Sequence, residues 1–282
     1  MVTTTEHADF DNFREGGSSL TNVGGNEAAI SNITTFLEYG VTDRFTASLM
    51  VPYVHKVQTT SQFGKRVASG IGDLAVFGRF EVVKPEPGIG PSLSLGLGVK
   101  FPTGGIEEPR TDQARLPPAF QVGSGGYDVV PTVSYYHSFG NLSFFGSSFL
   151  RLPLNDNKVG YRFGREFQIH VGGQYPLPFW GRRLELLGSI DALSAKHDTD
   201  SELILPDRLR DGTKVLNTGG RFIDLTPGIR VRAWRDLAVQ ARFFVPVMED
   251  WNGLRSRNVG QVAPNVTMQL SVAYQLNLGG YR

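Results

Sequence analysis

The feature that most constrains this chain is a two-residue alternation of apolar and polar side chains, repeated in segments of about ten residues between residues 31 and 276. In residues 91–101, one set of alternate positions is apolar and the other is polar or glycine. The apolar set is Leu93, Leu95, Leu97, Val99 and Phe101, and the other set is Ser92, Ser94, Gly96, Gly98 and Lys100. Side chains of a β-strand point alternately to its two faces, so this period predicts strands. We therefore expect an all-β fold.

The polar face of these strands carries charged side chains at mid-strand positions, which a dry protein core does not accept. Both faces are satisfied if the apolar face contacts lipid and the polar face lines a lumen. A mean hydropathy of −0.16 agrees with this arrangement, because only alternate residues face the lipid. No run of residues approaches the roughly 18 apolar residues of a membrane helix. The sequence therefore predicts a transmembrane antiparallel up-and-down β-barrel.

Composition excludes several other classes of protein. The 282 residues contain no Cys, which removes disulfides, thiolate nucleophiles and Cys-ligated metals. A net charge of +1 gives no electrostatic support for binding nucleic acid. The first residues lack the basic start and apolar stretch of a signal peptide, so we expect that the signal was removed or not included in this sequence. The predicted location is the bacterial outer membrane.

The connections between strands predict the topology. Short connections rich in Gly, Pro, Asn and Asp occur at residues 40–43, 84–90, 140–141, 176–181 and 233–236. Long polar connections occur near residues 55–69, 103–125, 154–161, 195–217 and 248–263. Short turns of outer-membrane barrels lie on the periplasmic side, so the long connections are expected to be outer loops.

These turns divide the chain into eleven strands, whereas bacterial barrels usually close with an even number. We therefore expect about twelve strands, with the twelfth formed by residues 2–8 and a further outer loop over residues 9–27. The N-terminal strand is predicted to close the barrel against the strand at 264–276. The whole chain, residues 1–282, is expected to form one barrel domain.

Aromatic side chains cluster at the predicted periplasmic end. They occupy lipid-facing positions beside the short turns or the C-terminus, or lie in the turns themselves. The set is Tyr39, Phe80, Tyr135, Tyr175, Tyr274, Trp180 and Trp234. This distribution predicts an interfacial aromatic girdle.

Placing the apolar set against lipid leaves charged and ionisable residues facing inward as predicted pore-lining residues. They are Glu38, Asp73, Arg79, Glu81, Lys100, Asp128, Arg151, His170, Glu185, Asp191, Asp224, Arg230, Arg232 and Arg242. These residues could form cross-strand salt bridges that rigidify and partly occlude the lumen, or a polar constriction that screens solutes. We expect Arg230, Arg232 and Arg242 to share the inward face as a positive patch, with Asp224 farther along the same strand.

Catalytic patterns are weak in this sequence, and we expect no enzyme, metal or cofactor. The five His residues have no metal-ligand spacing. The glycines at 123–126 are not followed by a helical pattern, so a loop or bulge is expected there rather than a phosphate site. A lipid-modifying barrel enzyme would need Ser, His and a polar partner on the lipid face. His170 shares the inward set with Gln168 and Gln174, which leaves that enzyme as a minor alternative.

Several segments in order along the chain resemble one family. They are residues 39–45 (YGVTDRF), 51–53 (VPY), 70–80 (GIGDLAVFGRF), 100–104 (KFPTG), 123–128 (GSGGYD), 161–164 (YRFG), 216–220 (LNTGG), 225–228 (LTPG), 245–247 (VPV) and 252–253 (NG). Together they resemble the outer-membrane transporters grouped as the MetA-pathway of phenol degradation family. The resemblance implies a channel for organic solutes and no catalytic residues. The chain departs from the usual aromatic ending, because Leu276 occupies the expected last lipid-facing position, and Tyr281 is the nearest substitute.

The sequence thus predicts an outer-membrane channel that passes small organic solutes, aromatic or hydrophobic ones included, by passive diffusion. Its expected partners are membrane lipid and these solutes, with no nucleic acid. The main alternative is a plugged barrel that binds a partner or serves a structural role without transport, and a soluble β protein is a further one. The solute, the state of the lumen and the oligomeric state are left open by the sequence.

Overall fold

The computed structural model describes residues 1–84, 90–107, 115–234 and 236–275. Twelve long strands, here numbered in chain order, form the wall of a barrel. They are β1 (Val2–Glu15), β2 (Glu27–Gly40), β3 (Phe45–Thr60), β4 (Ala75–Val83), β5 (Pro91–Lys100), β6 (Asp128–Phe139), β7 (Leu142–Pro153), β8 (Glu166–Pro176), β9 (Leu184–Ala195), β10 (Gly220–Trp234), β11 (Leu237–Trp251) and β12 (Thr267–Tyr274). Within the described ranges, no helix combines the length and apolar character that crossing a membrane requires.

Each strand pairs antiparallel with its neighbours in sequence, and β1 closes the ring by pairing with both β2 and β12. Thr5 lies opposite Ile33 on one side and opposite Leu270 on the other. The prediction of twelve strands in a closed antiparallel barrel is confirmed. Closure leaves no spanning edge with unpaired backbone groups, which a membrane barrel cannot tolerate.

The expected bounds of the first strand were wrong. It does not end at Ala8 but continues to Glu15, so the first outer connection begins at Gly16 rather than Asp9. The extension occurs because residues 10–14 find a partner in the short strand Gln261–Pro264, which lies in the last outer loop. Alternation of apolar residues does not report this pairing, since the partner is distant in sequence.

The short connections behave as predicted where they can be seen. Gly140 and Asn141 join β6 to β7, and Gly140 has a φ of 61°, a left-handed conformation that glycine adopts without strain. The N-terminus lies at the same end of the barrel, because the Met1 amino group donates to the Tyr274 carbonyl. The predicted turns at 84–90 and 233–236 include residues 85–89 and 235, which lie outside the described residues, as do Leu276 and Tyr281.

Two of the predicted outer loops instead contain extended strand. Residues 55–69 were expected to be a loop, but β3 continues to Thr60 and pairs with a returning strand, Gly64–Ile71. Likewise β11 continues to Trp251, inside the predicted loop 248–263. Above the apolar band neither face of a strand needs apolar residues, so the alternation that identifies strands is absent there.

The outward face of the barrel is apolar and exposed. Leu95 and Leu97 of β5 are 49% and 56% exposed, whereas Ser94, the residue before Leu95, is 8% exposed. At the short-turn end, Tyr39 and Tyr135 are exposed on the outside, as the predicted girdle requires. Exposed apolar side chains around the whole ring are the expected surface of a barrel that contacts lipid.

The buried apolar cluster lies at the opposite end, where an outer loop folds against the inner wall. Leu116 and Val122 of that loop pack on Val54 of β3 and Ala68 of the returning strand. Lys56 of β3 holds the same loop by donating to the carbonyl of Ala119, at 3.0 Å, and to that of Gln121. Residues 115–127, which lead into β6, therefore cover part of the barrel mouth at this end, here called the outer mouth.

Candidate functional site

The inward face of the barrel is identified by contacts between strands that are not neighbours. Arg242 of β11 lies 3.3 Å from the carboxylate of Asp191 on β9, although β10 stands between these strands. Side chains two strands apart can meet only on the concave side of a closed wall. Residues at the same alternate positions as this pair therefore face the lumen.

A group of polar side chains, here called the central cluster, joins strands β8 to β11 at mid-height. It consists of His170, Ser189, Asp191, Thr226 and Arg242. His170 Nδ1 lies 2.6 Å from Asp191 Oδ1, and Thr226 donates to Asp191 Oδ2 at 2.7 Å. Arg242 Nη2 donates to Ser189 Oγ at 2.9 Å. The two opposite charges of the cluster, on Asp191 and Arg242, are paired with each other.

The predicted positive patch does not form. Arg232 pairs with the buried carboxylate of Glu185, and Arg242 pairs with Asp191. Arg230 lies opposite Glu185 in the strand register and makes no ion pair with any described residue. Acidic residues of β9 lie between these arginines. The alternation of side chains along one strand does not reveal which residues of the neighbouring strand they meet. Asp224 stands directly opposite Asp191, so it faces another carboxylate and not a cation.

A second group, here called the outer cluster, lies near the outer mouth. Lys100 of β5 bridges Asp73, at 2.9 Å, and Asp128 of β6, at 3.1 Å. Arg151 of β7 lies 3.8 Å from Asp128 and also pairs with Glu166 of β8. The charges alternate in sign around the wall, from the segment before β4, through β5, β6 and β7, to β8. Their ion pairs join these five neighbouring parts of the wall.

Asp73 anchors the loop that contains the glycines at 123–126. It precedes β4, and it accepts hydrogen bonds from the Ser124 backbone and hydroxyl at 2.9 and 2.6 Å. Burial alone would raise the pKa of Asp73, but the Ser124 hydrogen bonds and the charge of Lys100 outweigh burial and lower that pKa. The segment is a loop, as predicted, and its hydroxyl binds an anchoring carboxylate.

Aromatic side chains also face the lumen, although they were not among the predicted pore-lining residues. Phe145 stacks on His170 with ring centroids 5.1 Å apart, and Arg242 lies over Phe244 at 4.9 Å. Phe77 lies opposite Gly98, where an added Cβ would come within 2.3 Å of the ring. The sequence does contain a signal for this orientation, because Phe77 lies two residues before Arg79 and therefore on the same face of β4. The interior is therefore amphipathic, with aromatic rings placed against glycine-containing strands.

At the short-turn end, the inner wall encloses a cavity of about 340 Å³, here called the inner-mouth cavity. It is lined by polar side chains of β3 to β6 and the preceding turn, namely Asp43, Arg44, Thr46, Arg79, Glu81, Ser92, Ser94, Ser134 and Tyr136. Ser92 donates to Glu81 at 2.6 Å. Arg79 makes no hydrogen bond or ion pair with a described residue. Glu38 lies exposed near the same end, on β2.

The predicted pore-lining residues therefore separate into three places. They are the outer cluster, the central cluster with Asp224 opposite Asp191, and the short-turn end, which holds the inner-mouth cavity, Glu38, Arg230 and the Glu185–Arg232 pair. No group of three or more His, Asp or Glu side chains within the described ranges is arranged to hold a metal ion.

Comparison with known proteins gives a fold and no sequence family. No family model and no curated protein matches the chain. The COG4313 outer membrane channel from Pseudomonas putida F1 is similar in structure, with a TM-score of 0.69 at 12% identity over 97% of this chain and 93% of that one. The fold is that of an outer-membrane β-barrel.

Two further barrels agree at lower similarity. The β domain of the Bordetella autotransporter Brka gives a TM-score of 0.52 at 9% identity, with 98% of each chain covered. The NanC porin gives 0.50 at 8% identity, over 98% of this chain and all of that one. Membership of the MetA-pathway of phenol degradation family stays a prediction.

Proposed function

We propose that this protein is a channel of the bacterial outer membrane through which small organic solutes diffuse passively. The observation that carries the proposal is the amphipathic inner wall, in which most charges are paired and aromatic rings lie beside them. Paired charges do not attract a particular ion strongly, whereas aromatic rings offer favourable contacts to the apolar part of an organic solute. The COG4313 and NanC barrels, named as a channel and a porin, support this class of function.

The proposal predicts uptake of an amphipathic solute that crosses lipid slowly. Liposomes containing the purified barrel should swell in phenyl glucoside. They should also swell in methyl glucoside, at a rate that depends only on the size of that solute. Empty liposomes provide the control for leakage through lipid. No swelling in either solute, from a barrel that migrates as folded on unheated gels, would refute the channel.

A plugged barrel is the second candidate, and the loop anchored on Asp73 supports it. Replacing Ser124 with Ala removes the hydroxyl contact that holds this loop near the outer mouth. The plugged barrel requires that wild type passes no solute and that this variant gains uptake. The channel requires measurable uptake by wild type, with at most a moderate increase in the variant.

A further inference from the structure

The inner-mouth cavity holds opposite charges that do not neutralise each other. Arg79 and Glu81 occupy inward positions two residues apart on β4. Such positions are separated by about 6.5–7 Å along a strand. Neither side chain makes an ion pair with any described residue. Elsewhere on the inner wall, Lys100, Arg151, Arg232 and Arg242 each bind a carboxylate. The inner mouth is thus a place where charges of both signs face open space.

A cavity of about 340 Å³ beside these two charges leaves room for a ligand. Arg79 lies opposite Gly96 of β5, and the hydroxyl of Thr132 on β6 occupies the space that a side chain at Gly96 would fill. Across from Glu81, Ser94 and Ser134 face each other on β5 and β6. Tyr136, whose hydroxyl donates to Ser143 at 3.0 Å, is 41% exposed and lines the cavity.

We infer that the inner-mouth cavity binds a small zwitterionic solute of the α-amino acid type. The solute's carboxylate pairs with Arg79 through a charge-assisted contact, in which the planar guanidinium can donate to both carboxylate oxygens. Its ammonium group pairs with Glu81, whose Oε1 atom is already oriented by Ser92. The spacing of about 6.5–7 Å separates the Cα atoms of these positions, and both side chains are long enough to reach the two charged groups of one amino acid. An apolar solute side chain would lie against Tyr136.

This inference deepens the proposed function by naming a solute class, but its test does not depend on transport. Isothermal titration calorimetry on the detergent-solubilised barrel would use three probes. L-phenylalanine carries both charges, 3-phenylpropanoate lacks the ammonium group, and 2-phenylethylamine lacks the carboxylate. We expect L-phenylalanine to bind most tightly.

Two variants locate the site. Arg79→Gln should raise the Kd of L-phenylalanine and 3-phenylpropanoate by about tenfold or more, with little effect on 2-phenylethylamine. Glu81→Gln should raise the Kd of L-phenylalanine and 2-phenylethylamine instead. Arg230→Gln is the matched control, because Arg230 is also an inward arginine without an ion pair among the described residues but lies outside the cavity.

The outcomes separate the inference from the channel proposal. The site is refuted if no probe binds, if L-phenylalanine binds no more tightly than 3-phenylpropanoate, or if Arg230→Gln weakens binding as much as Arg79→Gln. Specific binding by a barrel that passes no solute in liposomes would uphold the site and refute the channel. Uptake of solute by a barrel that binds none of the three probes would uphold the channel and refute the site.

Discussion

The Nδ1 atom of His170 lies 2.6 Å from Oδ1 of Asp191, its direct partner in the register of β8 and β9. The other carboxylate oxygen of Asp191 accepts from Thr226 and Arg242. The buried carboxylate of Asp191 on β9 therefore contacts side chains of three other strands, β8, β10 and β11. The charge of Arg242 neutralises that carboxylate. Arg242 is therefore the ion-pair partner of Asp191 and not the free positive charge that the sequence predicted.

Replacing Arg242 with Gln should lower the free energy of unfolding by about 1–3 kcal/mol, because Asp191 keeps its hydroxyl and imidazole contacts but loses its cation. Urea unfolding of the barrel in lipid vesicles measures this change. Arg230→Gln, which breaks no ion pair, should stay within about 0.5 kcal/mol of wild type. Combining Arg242→Gln with Asp191→Asn should cost less than the sum of the two single changes. Strict additivity would contradict the pairing.

Adding a side chain at Gly98 should push Phe77 away from the wall and into the lumen. A Cβ at this position would lie 2.3 Å from the ring, which cannot be accommodated without movement. We expect Gly98→Ala to reduce solute flux in the liposome assay and Phe77→Ala in the same chain to restore it. Gly188→Ala is the control, since nothing lies within 4 Å of its added Cβ. Unchanged flux in Gly98→Ala would show that the ring does not border the path.

Acid should release the loop that Ser124 anchors. The pKa of Asp73 is lower in the folded protein than its ordinary value of about 3.9. The carboxylate therefore stabilises the folded loop fully above that ordinary value, and this contribution is lost as the pH falls through the lower folded pKa. Limited proteolysis of residues 115–127 should be slow at pH 7 and should accelerate only below the ordinary pKa of about 3.9, using an acid-stable protease. Asp73→Asn should be cleaved readily both at pH 7 and in acid.

The N-terminal strand should be cross-linked to β2 by a pair of cysteines at Thr3 and Thr35. These residues face each other across the strands with their Oγ atoms 3.2 Å apart, and the chain has no other cysteine. Oxidation of Thr3→Cys with Thr35→Cys should give a disulfide in the folded barrel, detected by a mobility shift on denaturing gels. Thr3→Cys with Thr34→Cys, whose side chain points to the opposite face, should not cross-link. Equal cross-linking in both pairs would contradict the register.

The sequence by itself determined the class of fold, because a period of two residues assigns each side chain to one of two faces. Lys100 on one face and Leu95 on the other can both be satisfied only if lipid covers the outside. Eleven strands and the turn at Gly140 followed from the same pattern and from turn chemistry, and the twelfth strand followed from the even strand number of bacterial barrels. The inward positions of Arg79 and Asp191 also followed, since parity is a local property.

The tertiary structure alone decided which charges neutralise each other. Asp191 meets Arg242 because the wall curves until strands two apart come into contact, and no local pattern in either strand specifies that partner. The same holds for the upper half of β1, which extends to Glu15 only because residues 261–264 return to pair with it. Long-range pairing is set by barrel closure, whereas periodicity records only the environment of each face. The unpaired charges of Arg79 and Glu81 could therefore be identified only after every other pairing was known.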